Sequence, residues 1–301
     1  MNCILEVGGK EIWVRKGLVS IAHVDAEGFQ YLRDPIEALN VIRGARKGVD
    51  LFTFTQCLSE PEPKYDFLLE WDNQAVLPIS TFDHWMKEQI DFKVRNKVRK
   101  AAKNNVVVRE VQLDDGLLRG IQQIYNETPI RQGRQFWHFG KDIEALRKMK
   151  STFIERSIFL GAYLEDSLIG FIKLVTDDDG KQAGLMHILS MVKHRDKAPT
   201  NALMAQAVKS CAERGISYLT YANFSYGKKQ GSALAEFKRN NGFEKVNVPR
   251  YFVPLTLLGS IGYRLGLHRE MIEWVPEPVA AVYRKARIAW YRKRYPGFQN
   301  A

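Results

Sequence analysis

Three apolar runs, SIFLGAYLED (157–166), SLIGFIKLVTDD (167–178) and QAGLMHILSMV (182–192), follow one another with only tight turns between them. One turn runs through Glu165, Asp166 and Ser167, and the other ends at Gly180. Connections this short join antiparallel strands, because a parallel pair needs a crossover of about a dozen residues. A polar loop over 193–201 then opens an apolar helical pattern over 202–215, with Thr200 or Asn201 as its cap and Gly215 as its stop. ISYLTYANF reads as a fourth strand, GSALAEFKRNNGF as a helix ending at Asn241 and Gly242, and KVNVPRYFVPL as a last extended stretch. A meander that leads into a helix-connected strand is not a doubly wound pattern. The fold class it predicts is α/β (α+β), a central mixed, mostly antiparallel sheet flanked by helices.

The rest of the chain is less sharply patterned. EIWVRKGLVSIAHV reads as a strand pair, DPIEALNVIRGARKG as a helix beginning at Asp34 and Pro35, and LFTFTQCL and YDFLLEW as strands. A basic helix is expected from the Thr81–Asp83 region to Lys103. Its apolar stripe is Val94, Val98 and Ala102, among Lys93, Arg95, Lys97, Arg99, Lys100 and Lys103. VVVREV follows as a strand. GLLRGIQQIYNET and FGKDIEALRKMKSTFIE are helical, separated by the polar and aromatic loop PIRQGRQFWH. The remainder, 256–301, is helical with a break at Pro276 and Pro278. The expected division is an α/β half over 1–112, a second domain over 113–256 and a basic helical tail over 257–301.

The 301 residues carry a formal charge of +11, with 45 Lys and Arg against 34 Asp and Glu. Such a balance fits an acidic partner: a phosphorylated cofactor, a nucleic acid or an anionic membrane surface. Cys3, Cys57 and Cys211 are scattered without metal-ligand or disulfide spacing, so no metal is expected. A reducing cytosol is the expected compartment. No apolar run approaches the roughly 20 residues of a membrane span, and the first residues do not read as a signal peptide. The tail AVYRKARIAWYRKRY interleaves aromatic residues with cations. That pattern suits a membrane interface or a phosphate backbone, so peripheral association with the inner face of the membrane is an open expectation.

The stretch AYLEDSLIGFIKLV, the strand QAGLMHILSMV and the loop-to-helix segment KAPTNALMAQAVKSCAERG resemble the GNAT acyltransferases. Within that superfamily ALAEFKRNNGFEKVNVPRYFVPL is similar to the Fem-type branch, as is the basic helix KVRNKVRKAAKNNVVV. The likeness is good over 151–255, fair over 65–150 and poor elsewhere. It implies a GNAT fold with an N-terminal half resembling a degenerate unit of the same kind. It also implies transfer of an acetyl or similar acyl group from acyl-CoA to an amine or hydroxyl, on a small molecule or a glycan or envelope precursor. Aminoacyl-tRNA is the alternative donor. A non-catalytic GNAT-like protein binding nucleic acid or membrane is the alternative from another class.

A helix N-terminus straight after a strand offers amide protons and partial positive charge to a pyrophosphate. The resemblance puts Lys197, Thr200 and Ala202 at the Q/R-x-x-G-x-G/A positions, with threonine where the family has its middle glycine. Met191, Val192, Lys193, Pro199 and Asn201 complete the expected cofactor loop, and Lys238 is a further phosphate contact. The fold implies catalytic groups on the third strand and at the end of the fourth. His187 is the candidate base, and Asn223 and Tyr226 are candidates near the leaving group, with Tyr221 on the same strand. Arg131, Arg134, Trp137 and His138 are candidates for lining the acceptor pocket, since arginine forks suit carboxylate or phosphate.

Overall fold

The computed structural model describes residues 2–45, 48–131, 133–225, 233–269 and 277–295. They fall into two compact units that are each discontinuous in sequence: 1–76 with 220–235 and 244–274, and 77–219 with 236–243 and 275–301. The boundaries expected at 112 and 256 therefore fall inside units. The reason is a returning strand, placed by long-range pairing that local pattern does not carry.

In the first unit β1 (Asn2–Val7), β2 (Lys10–Arg15) and β3 (Ile21–Val24) form an antiparallel meander, turned at Gly8 and Gly9, both at positive φ. Helix α1 (Pro35–Ala45) then crosses to β4 (Leu51–Thr55), which runs parallel to β3. Strand β13 (Glu244–Pro254) pairs antiparallel with β4 on one side and with β5 (Leu68–Pro78) on the other. Ala38, Leu39 and Ile42 of α1 bury against Phe52, Phe54, Tyr251 and Val253. The Tyr251 hydroxyl donates to Gln56 Oε1 (2.8 Å) and accepts the Lys64 amide (2.8 Å). Arg250 is held between Glu27 (2.8 Å) and Asp72 (2.7 Å). Helix α8 (Leu257–Arg264) lies on this unit by its glycines: a Cβ on Gly259 would stand 1.8 Å from the Asp50 carbonyl oxygen, and one on Gly262 2.3 Å from Val19.

The second unit begins with a turn of helix, α2 (Phe82–His84), that widens into a π turn at Trp85–Gln89. The basic helix expected as one piece is interrupted here. Ile90 is buried, and the Asp91 carboxylate accepts the Lys93 amide (2.7 Å) to cap a new helix, α3 (Phe92–Lys103). The buried face of α3 is Val94 and Ala101, while Ala102 is exposed. Strands β6 (Val106–Val111), β9 (Ser157–Leu164), β10 (Ser167–Thr176) and β11 (Gln182–Ser190) pair antiparallel in the order β6–β9–β10–β11, with tight turns joining the last three.

Helix α4 (Asp115–Asn126), the small hairpin β7 (Ile130–Arg131) and β8 (Arg134–Gln135), and helix α5 (Ile143–Lys150) follow β6. Tyr125 of α4 reaches Phe171 (centroids 6.0 Å), whereas the adjacent Gly170 faces Leu203 of α6 (Pro199–Glu213). Neighbouring strand residues point to opposite faces, so α4 and α6 cover the two sides of this sheet. Helix α6 starts earlier than its apolar pattern suggests. Ala198, in the left-handed region (φ 56°), is its cap and Pro199 its first residue. Strand β12 (Tyr218–Asn223) and helix α7 (Ala233–Asn240) each pass from one unit to the other. In α9 (Glu277–Arg294) Arg287 Nε donates to the Gly133 carbonyl (3.0 Å). Among the described residues no helix is long and apolar enough to cross a membrane.

Candidate functional site

Strand β11 is buried over Gln182–Leu185 and half-buried from Met186 to Ser190. A bulge at Met186 marks the change, since Lys173 pairs with His187 while Leu174 pairs with Leu185. The register places Phe171, Lys173 and His187 on the face covered by α4 and α5. His138 stacks on Tyr125 (centroids 4.5 Å), stands edge-on to His187 (6.1 Å) and lies under the exposed Trp137 (4.3 Å). Behind them is Lys150, the last residue of α5, fully buried. Its Nζ stands 5.4 Å from the Tyr125 centroid and 5.2 Å from that of Phe171.

Two fully buried lysines thus share this face with two histidines. Lys173 Nζ is satisfied, donating to the Lys150 carbonyl (2.8 Å), the Thr152 carbonyl and Thr152 Oγ1 (3.1 Å). Among the described residues Lys150 Nζ has no hydrogen-bond acceptor and His138 Nδ1 has no partner. Burial, reinforced by Lys173, pushes the Lys150 amine down to about 7. Burial brings Lys173 to about 8. Burial and then the Lys150 charge hold His138 near 4, and burial, Lys150, His138 and Lys173 together hold His187 near 3. His187 is therefore a neutral imidazole at physiological pH and a weak base. This corrects the expectation of a base tuned near neutrality, because proton transfer is most effective when the group's pKa lies near the working pH.

The loop after β11 also departs from expectation. The Glu127 carboxylate accepts the Val192 amide (2.6 Å) and the Lys193 amide (2.8 Å). Glu127 is fixed in turn by Arg131 (3.1 Å), whose fork also donates to the Ser190 and Ile124 carbonyls. Arg131 spends its two terminal nitrogens on the scaffold rather than in an open acceptor pocket, while its buried Nε has no partner among the described residues. In the first turn of α6, Pro199 has no N–H, Ala198 donates to the Arg195 carbonyl, and Asn201 and Ala202 both donate to the Ala198 carbonyl. A row of bare amides over the loop and turn is not what forms. Of the first-turn donors, the Thr200 amide has no internal acceptor among the described residues, and its hydroxyl is shared with Ser190 Oγ (2.8 Å). Met191 and Pro199 are buried, Lys193 is exposed and Lys197 half-buried.

Lys238 of α7 is fully buried rather than a surface cation, and burial lowers it to about 8. Arg134 is exposed, as is Trp137, with Lys141 Nζ 4.4 Å from the Trp137 ring centroid. Tyr221 and Asn223 lie half-buried on the part of β12 that belongs to the first unit. Tyr226 lies outside the described residues. The second unit therefore brings His138 and His187 together on the α4 face of the sheet, and Ser190 and Thr200 together on the α6 face. Among the described residues no cluster of three metal-ligating side chains occurs.

No family model and no curated protein matches the sequence. Solved structures do match. FemX superposes with a TM-score of 0.60 at 10% identity, over 87% of this chain and 88% of that one. The C-terminal domain of a protein described as a lysylphosphatidylglycerol synthetase from Agrobacterium fabrum gives 0.56 at 12% identity, over 83% of each chain. L-PGS from Bacillus licheniformis gives 0.53 at 13% identity, over 80% of each.

The fold is GNAT-like.

Within this GNAT-like frame the sequence reading found the strand and turn but missed Glu127, Lys150 and Lys173. Glu127 carried a faint signal, as an acid four residues before an arginine in a loop rich in functional groups. The two lysines carried none. Lys150 sits in the last turn of an amphipathic helix, where a cation ordinarily faces water and complements the helix dipole.

Proposed function

We propose that the chain is an acyltransferase that moves an acyl group onto an amine or hydroxyl acceptor along the half-buried outer end of β11. The observation that carries this reading is the GNAT-like arrangement of β9, β10, β11 and α6. It leaves His187 on the α4 face, and Ser190 with the Thr200 amide on the α6 face, at the half-buried end of one strand. In such a site catalysis is mainly orientation of the two reactants. The neutral His187 imidazole accepts a hydrogen bond from the acceptor's N–H or O–H and aligns its lone pair on the carbonyl carbon. The tetrahedral intermediate then collapses with cleavage of the donor's C–S or C–O bond, and the proton given up by the acceptor ends on the departing thiol or hydroxyl group.

Two donors fit the fold. Acyl-CoA would meet the Thr200 amide and the Lys193 and Lys197 side chains, but not the Val192 and Lys193 amides, which serve Glu127. That internal cap favours a donor whose charge is spread along a chain, such as aminoacyl-tRNA, and the exposed cations of α3 suit a phosphate backbone. Supply of the purified chain with labelled aminoacyl-tRNA or labelled acetyl-CoA, against amino-sugar, peptide and lipid acceptors, tests both. Label transferred from tRNA, with no melting shift by coenzyme A, is the expected result. Transfer from acetyl-CoA, lost in Thr200→Asp, would reverse the choice of donor, and transfer from neither would refute the acyltransferase reading.

A further inference from the structure

We propose that Lys150 and His138 form a binding site for a small oxyanion, best matched by a carboxylate, beneath the outer end of β11. Lys150 is fully buried, and among the described residues none of its ammonium protons has an acceptor. His138 is nine-tenths buried with Nδ1 equally unpartnered. Both border one ring, since Lys150 Nζ stands 5.4 Å from the centroid of Tyr125 and His138 stacks on that ring at 4.5 Å. The two orphaned groups therefore border the same ring, and the Lys150 charge acts on His138. A buried donor without a partner is costly, and a buried cation without a counter-charge more so.

The neighbourhood supplies no internal remedy. Lys173 adds a second buried amine rather than a carboxylate, and its protons go to the Lys150 and Thr152 carbonyls. The Glu127 carboxylate is spent on Arg131 and on the Val192 and Lys193 amides. The Tyr125 and Phe171 faces attract a cation but accept no hydrogen bond of ordinary strength. An oxyanion completes the set. A carboxylate accepts from the Lys150 ammonium with one oxygen and, in the Nδ1–H tautomer, from His138 with the other. His187, which is half-buried, stands edge-on to His138. The site lies beyond the transferase reading and does not depend on it, since occupancy is measured without any transfer.

Thermal melting of the full chain at pH 7 and constant ionic strength tests the site, with sodium acetate and sodium phosphate compared against sodium chloride. Acetate should raise the melting temperature specifically. Lys150→Met should melt at or above the unliganded wild type, because an uncompensated charge is gone, and should bind acetate at least ten-fold more weakly. Lys173→Met, which removes a satisfied amine, should lower the melting temperature. A specific shift by phosphate and none by acetate would keep the oxyanion site and assign it to phosphate. Equal responses to all three salts, or an acetate response retained in Lys150→Met, would overturn the proposal. Should that variant fail to fold, saturation transfer from the aromatic protons of wild-type protein to acetate methyl protons decides: transfer supports the site and its absence refutes it.

Discussion

Glu127 reaches 65 residues along the chain to accept the Val192 amide at 2.6 Å, and takes the Lys193 amide at 2.8 Å. The carboxylate thus fills, from within the protein, donors of the kind that elsewhere hold a ligand's phosphate. It also neutralises a nine-tenths buried arginine.

Glu127→Gln should therefore have two separable effects. Loss of the charge leaves Arg131 buried and unpaired, at a cost of roughly 3 kcal/mol, read as a lower urea midpoint. The loosened amides should at the same time bind pyrophosphate more tightly than wild type does, measured by calorimetry in the folded variant.

Stability should rise with pH between about 7 and 10.5 through the buried amine of Lys150. Its folded pKa, about 7, is below the 10.5 of a free lysine. In that window the unfolded chain binds more protons, so raising pH favours the folded state. The groups facing it are Lys173, His138, His187 and the Tyr125 ring. Lys173 acts in the same direction from about 8. In Lys150→Met the slope of unfolding free energy against pH should shrink but not vanish.

The two histidines predict acid sensitivity. Each is held neutral, His138 near 4 and His187 near 3, against 6.5 when free. Stability should be lost progressively as pH falls below about 6.5, where the unfolded chain takes up protons that the folded chain refuses. Replacing His187 with Gln should flatten this limb of the profile, followed by circular dichroism.

Gly259→Ala should be worse than Gly262→Ala. The first new methyl meets the rigid Asp50 carbonyl oxygen at 1.8 Å, the second a Val19 methyl at 2.3 Å that can rotate away. Overpacking of this kind costs about 1–3 kcal/mol, with the upper end expected for Gly259→Ala in denaturant melts.

Much of the second unit was legible because its signals are local. Gly180 and the acidic turn at Glu165 fix the meander, and the apolar run of α6 fixes the helix behind it. What escaped was decided by partners distant in sequence. Asp91 ends one helix and starts another where the pattern of Val94 and Val98 suggested continuity. Arg131 looked like a ligand-binding fork until Ser190 and Glu127 claimed its donors. Lys150 looked like a surface cation because hydropathy does not know that Tyr125 and Phe171 enclose it.

Strand β13 lies between β4 and β5, although some 165 residues of chain separate its start from the end of β5. During synthesis β4 and β5 emerge early with their shared neighbour still untranslated. The first unit cannot close until residue 254 has left the ribosome, well after the β9–β10–β11 meander has been made. The sheet of the first unit should therefore stay open at its middle, exposed to chaperones and proteases, while the β9–β10–β11 meander can already form.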